Sequence, residues 1–301
     1  MVANLLQIKN LNVSFKTNNG FIKILDDINL DFQADKVIAI IGESGCGKSV
    51  LGQAILNNLP VNTKVEGSIN YIYTPTADNL GIIPQNPSDS FSPVRKIYKQ
   101  MQDLLNVINF KDQENVYKKR CLNFFGIDDS DRILNAYPYE LSGGTLQRVL
   151  FAMAISTQPK WVLADEPTKG LDENLERIII DNLLKLKNDL QMSMLIITHD
   201  ISLAETICDS VVIMYAGQIL EINNYFFQKA FHPYSKSFLM SLPSNGLQPI
   251  PGKAPDFTAD IKGCKFAARC PYRKERCLNE RPSLYQLNQD VMVRCFLYAE
   301  R

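Results

Sequence analysis

Apolar and polar positions alternate at the start of the chain. Leu5, Ile8, Leu11, Val13 and Phe15 mark a strand over residues 5–15. Asn18-Asn19-Gly20 is a turn signal, and residues 21–30 read as the returning strand. Continuous apolar runs of strand length follow at 37–41, 80–83, 161–164, 194–198 and 211–214. Helical patterns at 50–59, 97–110, 113–125, 146–155, 173–190 and 202–208 separate them. Further strands are expected at 66–73 and 217–222. Strands that alternate with helices in this way predict an α/β core with a largely parallel sheet. Between 243 and 255 four prolines and two glycines read as a linker. The expected division is therefore 1–230 and 231–301.

Composition narrows the function classes. The 301 residues are 46% hydrophobic and 21% charged, as in a soluble globular protein. Thirty-two Lys and Arg balance 32 Asp and Glu, so no electrostatic footprint for nucleic acid is expected. No apolar stretch approaches the ~18 residues that suggest a membrane span, and residues 1–16 lack the pattern of a signal peptide. Seven cysteines without an export signal point to reduced thiols or metal ligands, and to the cytoplasm.

Gly42-Glu43-Ser44-Gly45-Cys46-Gly47-Lys48-Ser49 fits the phosphate-cradling pattern G-x-x-x-x-G-K-[ST] at every fixed position, between an expected strand and an expected helix. Glycines let the backbone aim its N–H groups at phosphate oxygens. The helix N-terminus adds a favourable dipole, Lys48 a point charge, and Ser49 a hydroxyl for Mg²⁺. A nucleoside triphosphate is the expected ligand. Cys46, beside Lys48 at a helix N-terminus, is expected to have a lowered thiol pKa, so that thiol reagents inhibit and ATP protects. Phe15 suits either stacking on a base or ordinary core packing.

Three more places carry candidate chemistry. Leu141-Ser142-Gly143-Gly144 precedes an apolar-rich helix and builds either a second anion site or an ordinary capped helix. The run 161–164 stops on Asp165 and Glu166, where open α/β sheets bind ligands. Asp165 suits Mg²⁺ and Glu166 an attacking water, unless both merely solvate a strand end. His199, one of two histidines, follows the run 194–198 in the same strand-end layer. Finally Cys264, Cys270, Cys277 and Cys295 fall within the last 38 residues, without any C-x2-C pair of the zinc-ribbon kind.

The phosphate loop, Gln85 after an apolar strand, 141–144, Asp165-Glu166 and His199 stand in the order of the ATP-binding cassette (ABC) family. Residues 5–225 resemble that family, with 141–148 similar to its signature and Lys169-Gly170-Leu171-Asp172 to its D-loop. His232-Pro233-Tyr234, Ile250-Pro251-Gly252, Gly263-Cys264 and Arg269-Cys270-Pro271 resemble the C-terminal extension of oligopeptide/dipeptide permease ATP-binding subunits. Tyr137-Pro138-Tyr139-Glu140-Leu141 and Met214-Tyr215-Ala216-Gly217 are similar to that group too.

The resemblance implies a P-loop NTPase fold of the ABC type: a RecA-like core, a helical subdomain at about 86–157, and a small cysteine-rich extension. It implies ATP and Mg²⁺ as cofactors, with residues 42–49, Gln85 and Asp165 around the nucleotide and Ser49 and Gln85 at Mg²⁺. Glu166 polarises water in that scheme, and His199 contacts the γ-phosphate, while Phe15 remains a candidate to stack on the base. Ser142, Gly143, Gly144 and Gln147 serve the nucleotide of a partner cassette. The four tail cysteines hold a [4Fe–4S] cluster, with Zn²⁺ as the alternative. The implied partners are a second, non-identical ATPase subunit, two transmembrane permease subunits and, indirectly, an extracytoplasmic binding protein. The implied location is the cytoplasmic face of the membrane, and the implied function is ATP-driven import of short peptides.

Three departures from the pattern stand out. Thr145-Leu146 replaces the usual Met-Ser, Leu146 being closer to nickel importers. Lys169-Gly170 is unusual for the D-loop, and the segment between Tyr73 and Leu80 is short. Nickel or metallophore import is therefore an alternative. A soluble, non-transport cassette ATPase is a further one, although such proteins carry two cassettes or a long coiled-coil insertion. A small-molecule kinase would leave the Ser142 helix and His199 unexplained.

Overall fold

A computed structural model of the protein describes residues 4–18, 20–111, 113–242 and 245–299. Asn19 of the expected turn and Pro243 of the expected linker lie outside the described residues. The first 71 residues supply β1 (Asn4–Thr17), β2 (Gly20–Gln33), β3 (Val37–Ile41), α1 (Lys48–Ile55) and β4 (Thr63–Tyr71). Then come β5 (Leu80–Ile83), α2 (Ile97–Val107), α3 (Glu114–Phe124), α4 (Ser130–Asn135) and α5 (Gly143–Ser156). β6 (Trp161–Asp165), α6 (Glu173–Asn188), β7 (Ser193–Thr198) and α7 (Ile201–Ile207) continue the alternation. The remainder holds β8 (Ser210–Tyr215), β9 (Gln218–Asn223), α8 (Pro233–Met240), α9 (Arg276–Asn279), β10 (Tyr285–Asn288) and β11 (Val291–Val293).

Local chemistry explains the boundaries. α1 stops at Ile55, earlier than the pattern suggests, because Asn57 adopts a left-handed φ of 53° that a helix cannot continue through. α6 starts where Asp172 accepts from the backbone N–H groups of Asn174 and Leu175, both at 3.0 Å. Its first turn carries Glu173 and Glu176 and its last Lys185 and Lys187, matching the helix dipole. α4, which the apolar pattern does not reveal, is capped by Asp129.

The chain divides into two compact units interleaved in sequence. One unit comprises described residues to 5, 33–37 and 71–207. Its strands run parallel, with β5 on β6 (Leu80 opposite Trp161) and β6 on β7 (Trp161 opposite Ser193). β6 and β7 are buried almost throughout, which is why they read as unbroken apolar runs.

The other unit comprises 6–32, 38–70 and the described residues from 208 onward. β2, β1 and β4 form one sheet in that order. In a second sheet β3 pairs with β8 in parallel, whereas β8 with β9, β9 with β11 and β11 with β10 are antiparallel. The expectation of a largely parallel sheet is thus corrected to a mixed one. Short hairpin connections at 216–217 and 289–290 permit only antiparallel neighbours.

Residues after 231 join this unit through strand pairing and buried charge. Asp26, 3% exposed, faces Lys265 and Arg281 at 3.1 Å each and Lys23 at 3.3 Å. Arg294, 4% exposed, donates to an Asp27 carboxylate oxygen and to the Ile219 carbonyl, both at 3.0 Å. Glu221 is fully buried on β9 and accepts from the N–H groups of Phe231 and His232. Those bonds satisfy its buried carboxyl oxygens, as burial requires.

Candidate nucleotide site

The phosphate loop leaves the C-terminal end of β3. A Cβ on Gly42 would lie 2.2 Å from the Met214 carbonyl oxygen, so only glycine lets the loop pass β8. Gly45 and Gly47 take φ of 76° and 107°, the region glycine occupies without cost. Lys48 is 6% exposed, and its ammonium donates to the carbonyls of Gly42 (2.8 Å) and Glu43 (3.3 Å). Its charge is thereby held inside the loop. Ser44, Gly45 and Ser49 are exposed, and the Ser49 hydroxyl sits on the first turn of α1, where a divalent cation on a polyphosphate fits its oxygen chemistry.

Cys46 corrects an expectation. Its side chain is buried, and burial pushes its thiol pKa up despite the Lys48 charge beside it. Desolvation of the thiolate outweighs the ammonium and the helix end. Cys46 is thus a packing residue of the loop, shielded from thiol reagents. Phe15 is half-buried on β1, outside the buried core.

In the other unit, parallel pairing sets the chemistry at one sheet edge. Ile83 lies opposite Ala164, and Asp165, the last residue of β6, opposite Ile197, so Gln85, Glu166 and His199 follow just beyond the C-terminal ends of β5, β6 and β7. Glu166 adopts a left-handed φ of 48°, and its N–H donates to the Ile197 carbonyl at 2.7 Å. That backbone turn is strained for a glutamate and is held by the neighbouring strand. His199 Nδ1 donates to Glu166 Oε2. Glu166 is 8% exposed, whereas the His199 side chain is 53% exposed. A shielded carboxylate oriented by an accessible imidazole is a suitable acceptor for a water proton. Asp200 next to it accepts from the Thr168 hydroxyl at 3.1 Å and caps α7 through Leu203 N–H. Gln85 is exposed.

The signature segment lies in this same unit. Ser142 caps α5 by accepting from Thr145 N–H at 3.4 Å, and Ser142 and Gly143 are exposed. A Cβ on Gly144 would meet Ile178 and Leu175 of α6 at 3.3 Å, so the glycine also lets two helices approach. Gln147, on the first turns of α5, is 4% exposed. Leu146 is buried too, so this departure from the peptide group is a core residue of α5.

Two contacts on the loop escape a motif-based reading. The Tyr234 hydroxyl accepts from Glu43 N–H at 3.2 Å, and Arg269 lies 3.1 Å from the Glu43 carboxylate. Both residues belong to segments recognised only as family marks, and their spacing from residue 43 gives no local signal.

Cys264, Cys270, Cys277 and Cys295 line one small cavity with His232 and Phe266. Burial pushes the Cys264 thiol up to about 11, with the charges of the other three adding to it. Four thiols suit an iron–sulfur cluster as a donor set. The space does not suit one: the cavity encloses about 20 Å³, room for about one water. Among the described residues no group of three His, Cys, Asp or Glu is placed to hold a metal ion. The zinc alternative, which needs four ligands around one ion, therefore lacks its geometry.

The glycine loop between β3 and α1 is that of a P-loop nucleotide-binding protein, and comparison with known proteins supplies the family. Residues 25–169 match the model of the ABC transporter family, and residues 222–277 match the oligopeptide/dipeptide transporter C-terminal region. The chain belongs to the ABC transporter family.

Among its relatives is the oligopeptide transport ATP-binding protein OppD of Haemophilus influenzae, 33% identical over 99% of this chain and 98% of that protein. The dipeptide transport ATP-binding protein DppD of Caldanaerobacter subterraneus is 31% identical over 98% of both chains. Of solved structures, cbiO1 from Clostridium perfringens, part of the cbiONQ ABC transporter complex, aligns with a TM-score of 0.62 at 25% identity, covering 80% of this chain and 95% of that one. The ATP-binding cassette MJ0796, a dimer with ADP and Pi, aligns with a TM-score of 0.59 at 25% identity over 71% and 96% of the two chains. No helix among the described residues is long and apolar enough to cross a membrane.

Proposed function

We propose that the protein is the ATP-hydrolysing subunit of an importer of short peptides, working at the cytoplasmic face of a membrane with two transmembrane permease subunits. The observation that carries this reading is similarity to oligopeptide and dipeptide transport ATP-binding proteins along essentially the whole chain, the C-terminal region included. Leu146, the residue that leans toward nickel importers, is outweighed by that full-length similarity. The cassette comprises 1–230, with a helical part at about 86–157, and the extension 231–301.

The residues take these roles. Backbone N–H groups of Gly42 to Ser49 and the Lys48 ammonium bind the β- and γ-phosphates. Ser49, Gln85 and Asp165 hold Mg²⁺, directly or through water, which neutralises phosphate charge when bound. Phe15 stacks on the base. Glu166 accepts a proton from the attacking water as its oxygen bonds to the γ-phosphorus and the bridging P–O bond breaks, giving ADP and phosphate. His199 holds the Glu166 carboxylate in place and faces the γ-phosphate.

Ser142 to Gly144 offer the N-terminus of α5 to the nucleotide of a second, non-identical cassette, so the site is shared. Capture of MJ0796 as a dimer with ADP and Pi supports this pairing. Closure of such a pair excludes water and gates hydrolysis. An extracytoplasmic binding protein delivers the peptide.

The four extension cysteines are the proposed ligands of a [4Fe–4S] cluster on their donor chemistry alone, since the cavity they line is too small for it as it stands. Parting of the thiols is required to admit it. Protein purified without oxygen is expected to absorb near ~400 nm and to contain iron. A colourless, iron-free sample contradicts the assignment.

The transport reading is tested in cells lacking the gene, with and without its restoration. Restoration is expected to return uptake of labelled di- and tripeptides and to leave nickel uptake unchanged. Recovery of nickel uptake alone would overturn the peptide reading.

A further inference from the structure

The phosphate loop carries a negative charge of its own. Glu43 follows the first glycine, at a position that the phosphate-cradling pattern leaves free. A carboxylate there opposes the polyanion that the rest of the loop attracts. Arg269, 226 positions later in the C-terminal extension, answers it. One guanidinium nitrogen, Nη1, lies 3.1 Å from each Glu43 carboxylate oxygen and 3.3 Å from the Tyr215 hydroxyl. Nε donates to the Pro251 carbonyl at 2.8 Å, and Nη2 to the Ile250 carbonyl at 3.3 Å. The Arg269 side chain is 6% exposed and that of Glu43 27%, and the guanidinium lies 5.7 Å from the Tyr215 ring centre.

With every donor nitrogen engaged, the guanidinium has a single orientation, which a lysine would not reproduce. The Glu43 backbone is tied as well, by its N–H to Tyr234 and its carbonyl to Lys48. Both ends of the residue are thus fixed by groups outside the glycine-rich turn or by the loop lysine itself.

We propose that Arg269 is a positioning residue of the nucleotide site. It neutralises the Glu43 carboxylate and holds it, so that the loop N–H groups and Lys48 meet the triphosphate without an opposing charge. It acts through Glu43, not on the nucleotide. The C-terminal extension thereby contributes to ATP affinity, which no residue within the loop motif announces. The proposal rests on ATP binding at this loop, and the wild-type protein is the control for that.

The test is MgATP affinity of the purified full chain, measured by titration calorimetry for wild type, Arg269→Ala and Arg269→Ala/Glu43→Gln. Arg269→Ala is expected to bind roughly tenfold more weakly, because a carboxylate is left unpaired beside the phosphates. Removing that carboxylate in the double variant is expected to recover affinity to within about threefold of wild type. An arginine that only supports the fold would not be rescued in this way. Unchanged affinity in Arg269→Ala, or a double variant as weak as the single one, overturns the proposal. Should Arg269→Ala fail to fold, Arg269→Gln with and without Glu43→Gln makes the same comparison. A wild-type chain that does not bind MgATP overturns the ATPase reading itself.

Discussion

Glu166 and His199 show how much one pair of side chains decides. A strained backbone turn holds the carboxylate at the end of β6, and the imidazole beyond β7 donates to it. If His199 positions that carboxylate, His199→Ala should lower ATP turnover of the assembled transporter by about 10²-fold or more, with MgATP affinity nearly kept. Loss of affinity with unchanged turnover at saturation would assign His199 to binding alone. Cys46 gives the opposite lesson. Its place in the motif suggests a reactive thiol, yet burial keeps it protonated and covered. Maleimide is expected to label it at least ~10-fold more slowly in the native chain than after unfolding, with ATPase activity unaffected during that time. Equal rates would mean that the loop opens freely.

At the scale of elements, the extension is attached by charge as well as by strands. Asp26 is buried, which by itself raises its pKa, but Lys265, Arg281 and Lys23 together lower it. A carboxylate with a lowered folded pKa contributes stability that is fully present above the unfolded value. That contribution is lost as pH falls through the folded one. Unfolding midpoints in denaturant should therefore drop as pH goes below about 3.9. Asp26→Asn should lose about 2–4 kcal/mol at neutral pH and show a flatter acid limb. An unchanged acid limb in the variant would remove Asp26 from the account.

These same elements show what the sequence could disclose. β3, β6 and β7 are buried on both faces and so read directly as apolar runs, and the glycine loop announces itself. α4 hides because six residues are too few to establish a period. The β9–β11 pairing and the Asp26–Arg281 and Asp27–Arg294 contacts join residues more than 65 positions apart. Long-range pairing leaves no local pattern, which is also why Arg269 is absent from any motif. Gln147 and Leu146 could be placed on a helix, but only packing tells which face is covered.

At the scale of the molecule, the chain is an ABC family ATPase whose proposed site is completed by a second cassette. Within one chain Ser142 and Gly143 are exposed at the head of α5. Their proposed task lies on the partner's ATP. The extension is part of the same unit as the phosphate loop, so its contribution reaches the nucleotide through Glu43.

Hydrolysis by Glu166 in a shared site is tested by ATP turnover of the transporter reconstituted with its permease subunits. The comparison sets wild type beside Glu166→Gln. We expect the variant to bind MgATP as wild type does and to hydrolyse it at least ~10²-fold more slowly. Turnover that survives the substitution would contradict the account.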